Sequence, residues 1–190
     1  MLEVHKIAAI RGEQQIFGPL SFAVPKSGAV LLVGPNGSGK STLLRILAGL
    51  GRIAEGVVNW DGQNALADRA SHGARVCYVG HLDAVKPALT ARENLGDGAD
   101  VGLAAMALSH LADQPARFFS AGQKRRLALA RLACSVAPIW LLDEPTLGLD
   151  VASVARFGDM LATHRATGGI VLAATHLPLP LPDAVELRLA

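Results

Sequence analysis

The run Gly34-Pro35-Asn36-Gly37-Ser38-Gly39-Lys40-Ser41-Thr42 constrains this chain more than any other segment. It fits G-x-x-x-x-G-K-[ST] and lies between a short apolar run, 29–33, and a helical pattern. That helix opens at Lys40, carries Leu43, Leu44, Ile46, Leu47 and Leu50 on one face, and is closed by Gly49 and Gly51. Glycines at such a strand-to-helix turn let backbone N–H groups point inward around phosphate oxygens, and the first helical turn adds the positive end of its dipole. Lys40 is placed to reach β- and γ-phosphates, Ser41 to ligate Mg²⁺, and Thr42 extends the same turn.

Apolar runs bounded by Gly and Pro predict further strands over 2–10, 20–24, 57–60, 76–79, 139–142, 170–174 and 185–189. Helices are expected over 101–112, 123–136 and 151–165. Strands alternating with helices predict an α/β fold with a parallel sheet, an antiparallel strand-rich N-terminal edge and a short helical insert. One domain is expected, with a core over residues 1–81 and 139–190 and a helical subdomain over 82–138.

Composition excludes several classes. At 190 residues, with 51% hydrophobic and 18% charged side chains, the chain is long and apolar enough to bury a core rather than stay disordered. Its longest apolar run, 127–142, is interrupted by Arg131 and Pro138, short of the about 18 uninterrupted residues a membrane helix needs. A balance of 18 basic against 16 acidic residues lacks the basic footprint of a nucleic-acid binder. Cys77 and Cys134 stand in apolar surroundings without C-x-x-C spacing, which predicts buried thiols in a reducing compartment. The first residues show no charged stretch leading into an apolar one, so the cytoplasm is the expected address.

A phosphate loop needs a carboxylate to complete its metal site, and the apolar run 139–142 leads into Asp143-Glu144. Ligands of open α/β sheets bind at the C-terminal ends of strands, so Asp143 is expected to hold Mg²⁺ and Glu144 to polarise a water attacking the γ-phosphate. Between these motifs, Phe119-Ser120-Ala121-Gly122-Gln123 opens a helix with Ser120 as N-cap. On the residues alone, that start is as readily a plain cap as an anion site. His176, taken by itself, is an ordinary residue after a strand.

In their order, the phosphate loop, Ser120-Ala121-Gly122-Gln123, Asp143-Glu144-Pro145-Thr146, Asp150 and His176 resemble the nucleotide-binding domain of ABC ATPases over essentially the whole chain. The resemblance implies a Mg²⁺-dependent ATPase that forms a head-to-tail dimer around two ATP molecules. Ser120, Ala121, Gly122 and Gln123 of one subunit would close over the ATP held by the other, with Asp150 at that interface and His176 at the γ-phosphate. Within the family, Tyr78-Val79-Gly80-His81, the segments 89–95 and 168–179, and the short helical insert are similar to the haem-exporter ATPases of cytochrome c maturation. That similarity implies CcmB, CcmC and CcmD as membrane partners, a peripheral place at the cytoplasmic face of the bacterial inner membrane, and no nucleic acid.

Three departures affect residue roles. His81 stands where most such domains have a Gln, and as a neutral imidazole it could ligate the metal or order a water. Arg11 stands where an aromatic usually stacks on adenine, so base selectivity is expected to be loose or to rest on guanidinium stacking or on Phe17. Phe119 and Ala121 replace the Leu and Gly of the commonest signature. The motifs do not separate a haem exporter's ATPase from that of another small exporter. A soluble ATP-gated ABC protein is disfavoured by the single nucleotide-binding domain and the near-neutral charge.

Overall fold

The computed structural model describes residues 1–189. Leu2–Arg11 (β1), Gln14–Val24 (β2), Glu55–Trp60 (β4) and Gln63–Asn64 (β5) form an antiparallel sheet in the order β2-β1-β4-β5. Ala29–Val33 (β3), Val76–Val79 (β6), Ile139–Asp143 (β7), Ile170–Ala174 (β8) and Val185–Arg188 (β9) form a parallel sheet in the order β6-β7-β8-β3-β9. Strands β7 and β8 are buried at every residue, which is why they read as continuous apolar runs rather than alternating ones.

The two faces of this sheet serve two apolar cores. Leu32, Ile139, Leu141 and Leu172 point to one side, against helix Lys40–Leu47 (α1) and the antiparallel sheet through Leu44, Ile7 and Val58. Trp140, Leu142 and Ala173 point to the other, against Leu103, Leu129 and Phe157. Burying each of these large side chains contributes about 1.5–3 kcal/mol, so the two-sided strands anchor the fold. Helices Arg69–Gly73 (α2), Ala91–Leu95 (α3), Ala99–Ala105 (α4), Ala121–Ala133 (α5) and Val151–Ala166 (α6) complete the chain. The core around α4 and α5 is continuous with that of the sheet. Trp140 also stacks on His164 of α6, with ring centroids 3.9 Å apart, and burial pushes that imidazole below its ordinary pKa.

Several elements differ from expectation. Strand β2 begins at Gln14, not residue 20, because Gln14 and Gln15 pair across a tight turn at Gly12 with Arg11 and Ile10. The predicted helix 101–112 stops at Ala105: Ala107 takes φ 54, and the N–H groups of Leu108 and Ala107 return to the carbonyls of Leu103 and Ala104. This is the Schellman ending usually signalled by glycine, here occupied by alanine. Helix α5 spans 121–133 rather than 123–136, because Ser135 turns to accept the N–H of Ala137 ahead of Pro138. The short α2, capped by Asp68, carries no apolar periodicity by which the sequence would predict it. Cys77 and Cys134 are half-buried rather than buried, although partial desolvation still raises both thiols.

Candidate active site

The phosphate loop leaves β3 at Gly34, whose φ is 148; a Cβ there would run into the carbonyl oxygen of Leu189 and stand 2.9 Å from Ser38 Oγ. Only glycine fits that turn. Gly39, in the left-handed region at φ 93, is the N-cap of α1 and leaves the helix without a side-chain cap. The N–H groups of the first turn are thus reserved for another acceptor. Lys40 is 8% exposed, and its Nζ donates to the carbonyls of Gly34 and Pro35 at 2.8 Å each. Two of its three ammonium protons therefore brace the loop. Ser38 Oγ is buried beside them without a partner.

A cleft of about 690 Å³ opens where α1 begins. Asn36, Gly37, Gly39, Lys40, Ser41 and Thr42 of the loop line it together with His81, Asp143, Glu144 and His176. Asp143 ends β7 in register with Ala174 of β8, so the carboxylate lies at the C-terminal edge of the sheet. Glu144 turns away at φ 50 and donates its N–H to the Ala174 carbonyl at 2.7 Å. The backbone N–H of His176 donates to Glu144 Oε2 at 3.3 Å, and its ring Nε2 stands 3.7 Å from Oε1, an ion pair when the imidazole is protonated. Burial, and then the negative field of Asp143, push the phenol of Tyr78 up.

The donor set suits Mg²⁺. Ser41 and Asp143 offer hard oxygen ligands beside the phosphate loop, and among the described residues no group of three His, Cys, Asp or Glu could cage a metal. Mg²⁺ commonly binds through one or two carboxylates, substrate phosphates and waters, so no protein cage is required. The imidazole of His81, exposed on the cleft wall, is the softer and less suited donor.

Other predicted residues lie elsewhere. Gly34, Pro35 and Ser38 shape the loop without lining the cleft. Ser120, Ala121, Gly122, Gln123 and Asp150 are all outside it. At the start of α5 a capping box is closed: Ser120 Oγ accepts from the Gln123 N–H at 3.2 Å, and Gln123 Oε1 accepts from the Ser120 N–H at 2.8 Å. A Cβ on Gly122 would stand 3.3 Å from the Gly148 carbonyl, so this start lies against the loop leading to Asp150. Asp150 caps α6, and hydrogen bonds from Ser153 hold its carboxyl below the usual range. Arg11 lines the cleft rim with Gln14, Gln15 and Ile16. Phe17 is not available to stack on a base: it is buried in the core under Gly39.

Sequence reasoning passed over Arg125, a buried guanidinium reaching the backbone of both carboxylate residues. The available signal was its position on the same stripe of α5 as Ala128, Leu129 and Leu132, where a charge is out of place.

The family model described as ABC transporter matches residues 17–147. A cytochrome c biogenesis ATP-binding export protein, CcmA, of Rhodospirillum rubrum is 51% identical, over 96% of this chain and 83% of its own length. The protein of the same name from Chelativorans sp. is 43% identical over 99% of this chain and 97% of its own. Among solved structures, the dimeric post-hydrolysis state of an ATP-binding cassette bound to ADP and Pi superposes with a TM-score of 0.83 and 25% identity, covering 93% of this chain and 88% of that one. The chain belongs to the ABC transporter family, as an ATP-hydrolysing subunit of the cytochrome c biogenesis ATP-binding export protein type.

Proposed function

We propose that this chain powers haem export in cytochrome c biogenesis from the cytoplasmic face of the bacterial inner membrane. One observation carries the reading: a single cleft at the C-terminal edge of the sheet gathers Lys40, Ser41, Asp143, Glu144 and His176 in a chain so similar to a named export protein of that system. The loop N–H groups and Lys40 bind the β- and γ-phosphates of ATP. Mg²⁺, held by Ser41 and Asp143, supplies neutralisation of phosphate charge when bound. Glu144 accepts a proton from the attacking water as the new oxygen–phosphorus bond forms and the bond to the β-bridging oxygen breaks, leaving ADP and phosphate. His176, in contact with Glu144 through its N–H, orients that carboxylate toward the γ-phosphate.

Ser120, Ala121, Gly122 and Gln123, which lie outside this cleft, close over the ATP of a second copy, with Asp150 at the joint. The dimeric ATP-binding cassette bound to ADP and Pi supports assembly as a dimer. No described helix is long and apolar enough to cross a membrane, so separate subunits of the CcmB, CcmC and CcmD kind carry the span and engage the helical subdomain, 82–138, inserted in the core formed by 1–81 and 139–190.

Glu144→Gln tests the chemistry: ATP binding should survive while turnover falls by about 1,000-fold. Undiminished hydrolysis in that variant sinks the base role. Affinity purification from native membranes in mild detergent tests the cargo. Recovery of CcmB, CcmC or CcmD supports haem export, and another permease keeps the motor but discards the haem. Recovery of ribosomes or DNA without a membrane subunit overturns the transporter reading.

A further inference from the structure

Arg125 is 5% exposed on a helix face otherwise made of small and aliphatic side chains. A guanidinium does not shed its charge in a protein, so its burial is tolerated only when its donors are matched. Here each of the five N–H groups has one acceptor. Nε donates to the Pro145 carbonyl at 3.1 Å. One terminal nitrogen donates to the carbonyls of Asp143 at 3.0 Å and Glu144 at 2.6 Å. The other donates to the Gly80 carbonyl at 3.0 Å and to Asp83 Oδ1 at 2.9 Å. Three acceptors are thus consecutive carbonyls of the turn that carries both cleft carboxylates, and two belong to the segment that contains His81.

Glu144 has φ 50, a strained conformation for a residue with a side chain, which persists only where neighbours over-determine it. Ala174 holds its N–H and Arg125 holds its carbonyl, so the peptide groups on both sides are pinned. We infer that Arg125 is a positioning residue for Glu144, and that the Asp83 carboxylate holds its guanidinium in place for that task. Arg131 reinforces this tie from the same helix, donating to the carbonyls of Asp83 and Ala84. The inference rests on Glu144 acting as the base.

The test uses the tagged full chain purified with its membrane subunits. Arg125→Lys keeps the charge but offers three donors from one point, so kcat should fall about 10- to 100-fold through misplacement of Glu144. The Kd for ATP should stay within about twofold, because the phosphates are held by the separate loop 34–42. A merely structural role would instead lower the number of ATP-binding sites per chain in step with the apparent kcat, through loss of folded protein. Asp83→Asn should lower kcat about threefold, and combined with Arg125→Lys it should add nothing, since both cut one chain of contacts. Normal kcat in folded Arg125→Lys overturns the inference, and so does a double variant whose effects multiply. If Arg125→Lys does not fold, Asp83→Asn decides: a drop in kcat at unchanged Kd supports the tie, and wild-type turnover rejects it. Glu144→Gln measured alongside separates the failures, because normal hydrolysis there removes the base role whatever Arg125 does.

Discussion

Helices α1 and α5 begin in opposite ways. At α1 the N-cap is Gly39, no side chain reaches back, and the first turn faces a cleft behind a buried lysine. At α5 Ser120 and Gln123 satisfy each other's backbone in a closed capping box. The first start is finished only by a ligand, the second by its own side chains. The difference leaves the α1 start open to phosphate and the α5 start closed on itself; in the proposed assembly the segment at Ser120 meets a nucleotide held by a second copy.

The largest effect should come from Lys40→Ala. It removes the brace on the Gly34 and Pro35 carbonyls and the charge at the phosphates, and should weaken ATP binding about 100-fold or more in equilibrium dialysis. Binding within about threefold of wild type would break the claim that α1 is completed by nucleotide. Next, Gly34→Ala forces a Cβ toward the Leu189 backbone at φ 148 and should cost about 2–3 kcal/mol in denaturant unfolding. An unchanged midpoint would show that the loop yields, against the picture of a rigid turn. Ser120→Ala opens the capping box and should cost about 1 kcal/mol, a melting point about 2–4 °C lower. Its ATP-induced thermal shift should persist at dilute protein, where only the α1 side is engaged; loss of that shift would erase the contrast between the two helix starts.

The smallest effect concerns Asp150, whose carboxyl Ser153 holds below the ordinary value of 3.8. A carboxyl lowered by folding stabilises the native state above its unfolded pKa, and that contribution is lost as pH falls through the lowered value. Wild type should therefore outlast Asp150→Asn slightly at neutral pH in thermal melts, and the gap should close on the acid side of 3.8. The Ser120→Ala deficit should show no such closure there, since its hydroxyl does not titrate. A gap that persists in acid would make Asp150 a cap by shape rather than charge.

How much was legible depended on whether the signal was local. The strand end at Ala174 and the helix starts at Lys40 and Val151 followed from apolar runs and caps, and the strand expected over 139–142 runs one residue further, to Asp143. Gly49 marks the end of α1, where Leu50 and Gly49 return their N–H groups to Arg45 and Ile46. The same turn ends α4 at Ala107, and because alanine is a poor signal for a left-handed residue, the predicted helix ran too long. Phe17 looked available to a base until packing under Gly39 placed it in the core.

The sequence by itself determined the phosphate loop, the principal strands and the helices opening at Lys40, Ser120 and Asp150, and the residues that make candidates for phosphate chemistry. Each depends on backbone geometry and residue type within a few positions. Only the tertiary structure decided that His81, Asp143, Glu144 and His176 face one cleft while Ser120 and Asp150 do not, and that Arg125 pins the Glu144 turn. Those outcomes depend on strand order and on matching a buried charge with carbonyls distant in the chain, and no local pattern encodes either.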